Sequence, residues 1–169
     1  VNRIAVHLVL KQFGRSIITE LIPGSLSEAK SAVYDQHTVR GRSVPIYGYS
    51  HSETRTVDLS LLLTCIDGAG IASTEPPLTT GKDVAMVVNW LKAAAYPIYG
   101  GAPIRPPTTV YLKVGSFLEV PDGVITGVSI TWGDTYDEAG YPLKAEVALT
   151  IEEVQAYPSS AHEVLERGW

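Results

Sequence analysis

The segment from residue 106 to 154 constrains this chain most, because apolar and polar residues alternate over most of its length. Val110, Leu112 and Val114 fall on every second position, and so do Val124, Thr126, Val128, Ile130 and Trp132. Beyond a polar connection, 133–142, the spacing returns in Leu143, Ala145, Val147, Leu149 and Ile151, set against Lys144, Glu146, Thr150 and Glu152. Successive side chains of a strand point to opposite faces, so a period of two predicts three half-buried strands. One wet face and one dry face are what an antiparallel sheet permits. The connection between the second and third strands is too long and polar for a tight hairpin turn.

The remaining 120 positions of this 169-residue chain read less uniformly. Residues 4–10 and 16–22 read as strands, and Pro23-Gly24 breaks the chain after them. Ser25 and Glu28, ahead of Ala29, Ala32 and Val33, resemble a capping box and predict a short helix within 25–35. Val33 and Tyr34 can equally begin a strand. Residues 37–50, polar with two glycines and one proline, read as a long loop, or as a loop that becomes a strand when paired. Alternation over 53–65 predicts a core strand that ends at Cys65, expected to be a buried, inert thiol. After the connection 67–81, Thr80 and Asp83 mark a helix start. Val84, Val87, Val88, Leu91, Ala94 and Ala95 lie on one stripe of that helix, and Pro97 with Gly100-Gly101 ends it. Met86 and Trp90 lie off the stripe and are expected to face another element or another chain. Strands, one helix, then more strands predict an α+β domain, mainly antiparallel β: a barrel or sandwich with one flanking α-helix. Residues 1–154 are expected to form that domain and 155–169 a C-terminal arm.

Charge and composition exclude several functions. The net charge is −5 and the only Lys/Arg cluster is Arg40-Gly-Arg42, so a phosphate-gripping face is not expected. A mildly acidic protein suits a channel through which DNA slides without sticking. One cysteine excludes an internal disulfide and a Cys-rich zinc site. No apolar run reaches the roughly 18 residues that span a bilayer, so no membrane partner is expected. The first residues lack the plan of a signal peptide, and synthesis in a cytoplasm is expected. His7, His37, His51 and His162 show neither an i, i+4 pair nor a His-Glu-x-x-His run, and no metal or cofactor is expected. Ser116 lacks the Gly-x-Ser-x-Gly turn of an exposed nucleophile. Asp134, Asp137 and Glu138 crowd one loop, and paired carboxylates can cleave glycosides, but a solvated loop is the simpler reading. Gly68-Ala-Gly70 and Gly100-Gly101 are too short to cradle a phosphate. Tyr47, Tyr49, Tyr96 and Tyr99 flank loops and suit either ligand stacking or a protein interface. No enzyme is expected.

The succession Arg105-Pro-Pro-Thr-Thr-Val-Tyr-Leu-Lys-Val-Gly-Ser-Phe, Gly123-Val-Ile-Thr-Gly-Val-Ser-Ile-Thr-Trp and Tyr141-Pro-Leu-Lys-Ala-Glu-Val-Ala-Leu-Thr-Ile-Glu-Glu-Val resembles the tail-tube and baseplate proteins of contractile phages and related injection systems. Upstream, Val44-Pro-Ile-Tyr-Gly-Tyr-Ser-His-Ser-Glu-Thr-Arg-Thr-Val-Asp-Leu-Ser-Leu is similar to the segment that precedes their helix, and 83–95 occupies the helix position. The likeness covers about 44–154. It implies a small β-barrel or sandwich with one flanking helix. Copies would form a ring, usually a hexamer, in which neighbouring strands make a continuous inner barrel around a channel. That agrees with the need to pair, cover or blunt every sheet edge.

By the same resemblance, the protein would be a virion structural subunit at the baseplate end of the tail tube. It would join the baseplate hub to the tube and let DNA pass without specific binding. Residues 37–50 would reach a neighbour, with Arg40 and Arg42 pairing with acids there, and Tyr47, Tyr49, Trp90 and Trp169 would complete the inter-subunit surface. Glu146 and Glu152, on the polar face of the last strand, would face the channel. Plainer readings are a mobile surface loop and two solvent-exposed carboxylates. Some relatives carry a peptidoglycan-binding module after the tube fold. This chain is expected to lack one, which favours a capping, initiating or hub-adaptor role. Two other classes compete: a glycan- or peptidoglycan-binding module of the tail tip using Tyr47, Tyr49, Tyr96 and Tyr99, and a hydrolase built on Asp134, Asp137 and Glu138.

Overall fold

The structure, a computed structural model, describes residues 4–66, 76–99 and 104–154. In chain order the elements are β1 (Ala5–Leu10), β2 (Arg15–Leu21), β3 (Ser27–Ala29), β4 (Ala32–His37), β5 (Ile46–Ser52), β6 (Thr56–Thr64), α1 (Gly81–Ala93), β7 (Thr109–Val114), β8 (Leu118–Trp132) and β9 (Lys144–Glu153). The strands pair antiparallel in the order β2-β1-β7-β8-β9-β6, and two residue pairs between β2 and β6 (Glu20–Leu62, Leu21–Leu61) close them into a six-stranded barrel. Closure removes the open sheet edges that would otherwise template aggregation. β3 adds to the other end of β6, and β4 pairs only with β5 in a separate hairpin. The expected class, α+β and mainly antiparallel, with one flanking helix, is the observed one.

Alternation sends one residue set inward from each barrel strand. Val6, Leu8 and Leu10 of β1, Val57, Leu59, Leu61 and Leu63 of β6, and Ala145, Val147, Leu149 and Ile151 of β9 are buried, together with Val110, Leu112 and Val114 of β7. Each large aliphatic removed from water contributes about 1.5–3 kcal/mol.

The predicted stripe Val124, Thr126, Val128, Ile130, Trp132 does not hold as one face. The inward set in β8 runs Leu118 and Val120, then Gly123 and Ile125, then Val128 and Ile130. The phase changes twice because β8 gains one residue against β7 between Val120 and Gly123, and one against β9 between Ile125 and Gly127. Such bulges bend and twist a strand, which lets the fifteen residues of β8 turn around the barrel. Gly123 is required at the first bend, since an added Cβ would lie 2.7 Å from Ile151 Cγ2.

The helix forms as its caps predict. Thr80 and Asp83 exchange hydrogen bonds in a capping box, and Val84, Val87, Val88 and Leu91 are buried against the barrel. Hydrogen bonds from the side chains of Thr79 and then Thr80, with their backbone N–H groups, hold the Asp83 carboxyl below its ordinary range. A depressed carboxylate contributes stability above its unfolded value of about 3.9, and loses it as pH falls through the lower folded value. Thr80→Ala is therefore expected to cost about 1 kcal/mol at neutral pH. In urea titrations, Asp83→Asn should be less stable than wild type at neutral pH, with the difference shrinking below about pH 4.

The helix predicted within 25–35 is instead β3 and the start of β4. Both capping-box residues are taken by distant partners: Ser25 Oγ donates to the Ile22 carbonyl (2.7 Å) and accepts from Ser60 N (3.1 Å), while Glu28 accepts from Arg55 Nε (2.6 Å). Arg55 also faces the buried Glu153 at 3.7 Å, so one guanidinium ties β3 to the end of β9. Cys65 is half-buried rather than buried, its thiol donating to the Leu143 carbonyl at 3.4 Å.

Candidate functional site

Three surfaces carry the residues singled out by sequence. The first is the β4–β5 hairpin. β3 runs past the Thr56 end of β6, and β4 continues from it, so the hairpin leaves the barrel at that end. Its base is tied by the Glu53 N–H to the Ser31 carbonyl (2.9 Å) and by the Ser31 hydroxyl to the Glu53 carboxylate. Nearly every residue of both strands is exposed, including Tyr47 at 60%, Tyr49 at 61% and, in the turn, Val44 at 67%. Tyr49 packs edge-on against Tyr34 (5.8 Å), and Gln36 Nε2 donates to the Tyr47 hydroxyl (3.1 Å). Arg40 and Arg42 stand exposed in the connecting turn, with no ion pair among the described residues. Four of the six expected interface residues thus share one arm. Trp90 does not: it is half-buried on α1 beneath the Arg15 guanidinium, 4.7 Å from the ring centroid. Trp169 lies outside the described residues.

The second surface is the outer face of β6, β9 and β8. Paired residues set Thr56, Glu152 and Val124 in one row, then Asp58, Thr150 and Gly127, then Ser60, Ala148 and Ser129, then Leu62, Glu146 and Thr131. Glu146 and Glu152 therefore lie on one face of one strand, as expected. Lys144 sits beside them and pairs with Glu146 at 2.9 Å. Three carboxylates (Asp58, Glu146, Glu152) against one ammonium (Lys144) leave these rows with a net charge of −2. Small residues at Ser60, Ala148, Ser129 and Gly127 leave a shallow groove across the middle.

The third surface is the 133–142 loop, at the opposite end of β6 from the hairpin. Asp137 organises it: Oδ1 accepts from Ala139 N (2.9 Å) and Tyr141 N (2.8 Å). The loop rests on the first residue of α1, where a Cβ on Gly81 would come within 2.8 Å of the Tyr141 carbonyl. Asp134 and Glu138 remain exposed beside Tyr136. Asp137 thus serves as a loop brace, and Asp134 and Glu138 are exposed to solvent. This arrangement favours the solvated-loop reading over a carboxylate pair.

Elsewhere a polar ladder crosses the barrel exterior. His7 Nε2 and Ser16 Oγ are 2.9 Å apart, His7 packs edge-on to Tyr111 (6.0 Å), and the Tyr111 hydroxyl donates to Glu119 (2.9 Å). Burial, then the Glu119 hydrogen bond and charge, push the Tyr111 hydroxyl above its ordinary value. The ladder stitches β2, β1, β7 and β8 together across an open sheet face. Among the described residues no three His, Cys, Asp or Glu side chains cluster as metal ligands, and no helix is long and apolar enough to cross a membrane.

Sequence reasoning singled out 37–50 as a segment that pairs or reaches a neighbour but missed its hairpin with β4, because that pairing is stated only by Val33, Tyr34, Tyr47 and Tyr49, too few to show alternation. It also missed the Arg55 tie and the Gly81 contact, both set by residues far apart in the chain. A comparison with curated protein sequences returns no match. The family model described as contractile injection system tube protein matches residues 10–162.

Proposed function

Because this chain belongs to the contractile injection system tube protein family, we propose that it is a ring-forming structural subunit at the baseplate end of a phage tail tube. In this reading copies form a hexamer that joins the baseplate hub to the tube, the particle is a virion, and DNA passes through the central channel. The protein performs no chemistry and takes no cofactor. The observation that carries the reading is a closed barrel bearing an arm that buries almost nothing in its own subunit. A hairpin with tyrosines and aliphatics exposed on it gains stability only when another surface covers it. Arg40, Arg42, Tyr47 and Tyr49 are its contact residues. Trp90, half-buried on α1, and Trp169 are assigned to the same subunit boundary.

The outer face of β9 is assigned to the channel. Its rows are mostly small, hydroxylated or acidic residues with a net charge of −2, which leaves a wall that neither obstructs nor binds a polyanion. Replacing Glu146 and Glu152 with lysine should turn that wall adhesive. DNA is expected to co-sediment with the double variant at low salt and to be released as salt rises, while wild type retains none. Equal DNA retention by the two proteins would remove these carboxylates from the channel.

Mixing the purified protein with separate hub and tube preparations tests the position in the tail. An adaptor binds both and adds one ring to each junction, as read by sedimentation. A main tube protein polymerises without either. Saturable glycan binding by a monomer would instead favour a tail-tip binding module.

A further inference from the structure

We infer that the β4–β5 arm of one copy lands on the 133–142 loop of the next copy, pairing Arg40 and Arg42 with Asp134 and Glu138. The inference rests on the ring reading and names the two surfaces that meet.

The arm supplies the first half of the argument. Between Gln36 and Ser52 the only formal charges are those of Arg40 and Arg42, interleaved with exposed Val39, Val44, Ile46, Tyr47 and Tyr49. Apolar and aromatic surface rimmed by arginine is the composition of a protein interface. Net positive charge there selects an acidic, partly aromatic partner surface.

This molecule carries such a surface at its other end. The 133–142 loop holds Asp134 and Glu138, exposed and without ion pairs among the described residues, next to exposed Tyr136, Tyr141 and Trp132. Nearby cations are partly engaged: Lys144 pairs with Glu146, and the Lys92 ammonium lies over the Trp132 ring at 5.5 Å. Lys82 stands on the first turn of α1.

Strand register keeps the two surfaces apart within one copy. The arm leaves at the Thr56 end of β6, whereas the loop enters β9 beside Thr64, the partner of Lys144. Nine residues of β6 separate these ends by about 26 Å, more than the roughly 17 Å length of the hairpin itself. The charges can therefore meet only between copies. Unlike patches at opposite ends give a head-to-tail contact, which closes into a ring when the rotation between neighbours permits.

Charge reversal tests the pairing. Arm variant R40E/R42E and loop variant D134K/E138K are each expected to remain unassembled at concentrations where wild type forms rings. The assembly midpoint should rise by about tenfold or more, because like charges then face each other. An equimolar mixture of the two variants restores opposite charges at every contact, and a hexamer, having an even number of copies, closes with the two alternating. Native mass measurement of both variants and the mixture reads all three results. Rings formed equally by wild type and by each variant alone, or a mixture that does not recover, would overturn the contact while leaving the ring reading intact. A wild type that never forms rings would remove the reading itself, and the contact with it.

Discussion

Leu149→Ala is expected to cost about 2–5 kcal/mol, while Ala148→Ser, one position away, should change stability by less than about 0.5 kcal/mol. Leu149 is 2% exposed in the middle of β9, between Leu59 of β6 and Val128 of β8, and belongs to the cluster that receives the buried stripe of α1. Truncating it removes apolar contacts and leaves a cavity in a close-packed interior that relaxes only in part. Ala148 points to the opposite face, between Ser60 and Ser129, where an added hydroxyl meets solvent. Urea titration of the two variants reads the inside and the outside of the barrel from neighbouring residues. Equal losses would mean that both faces of β9 are packed within one subunit, leaving no wall for a channel.

Replacing residues 32–52 with a short Gly-Ser turn should abolish ring formation and leave the barrel's melting temperature within a few degrees of wild type. The two effects separate because the hairpin strands pack chiefly on each other and are exposed along almost their whole length. The ends left by the excision are already close, joined by the Glu53 N–H to the Ser31 carbonyl at 2.9 Å, so a short turn closes them without strain. β3 and the Arg55 tie to Glu28 remain in place. Circular dichroism reads the fold and native mass the assembly. A shortened protein that still makes rings would deny the arm its role, and one that unfolds would make it part of the domain's own stability.

These outcomes bear on how a sequence of this kind declares itself. β6, β7 and β9 were legible because one face is buried along their whole length, so a period of two runs unbroken through Val57–Leu63 positions and again through Ala145, Val147, Leu149 and Ile151. β8 was found as a strand but misread as a single stripe, since two bulges change its phase and each is defined only against a partner strand. The helix was legible from Thr80, Asp83 and its apolar stripe, all within one local segment. The 25–35 region failed for the converse reason: Ser25 and Glu28 have the spacing of a capping box, yet Ser60 and Arg55, far along the chain, claim both. The arm was half legible. The composition of 37–50 suits a long loop or a strand formed on pairing, and β5 is such a paired strand, but an exposed hairpin has no buried face to impose a pattern. Glu146 and Glu152 were placed on one face by counting alone, and the register of β9 agrees.

The most direct measurement is electron microscopy of the purified protein in negative stain, alone and with hub and tube proteins, with its mass recorded in solution. The account predicts rings or short tubes with a central hole, six copies around it. An 18.2 kDa monomer that stays a monomer in the presence of both partners would contradict it.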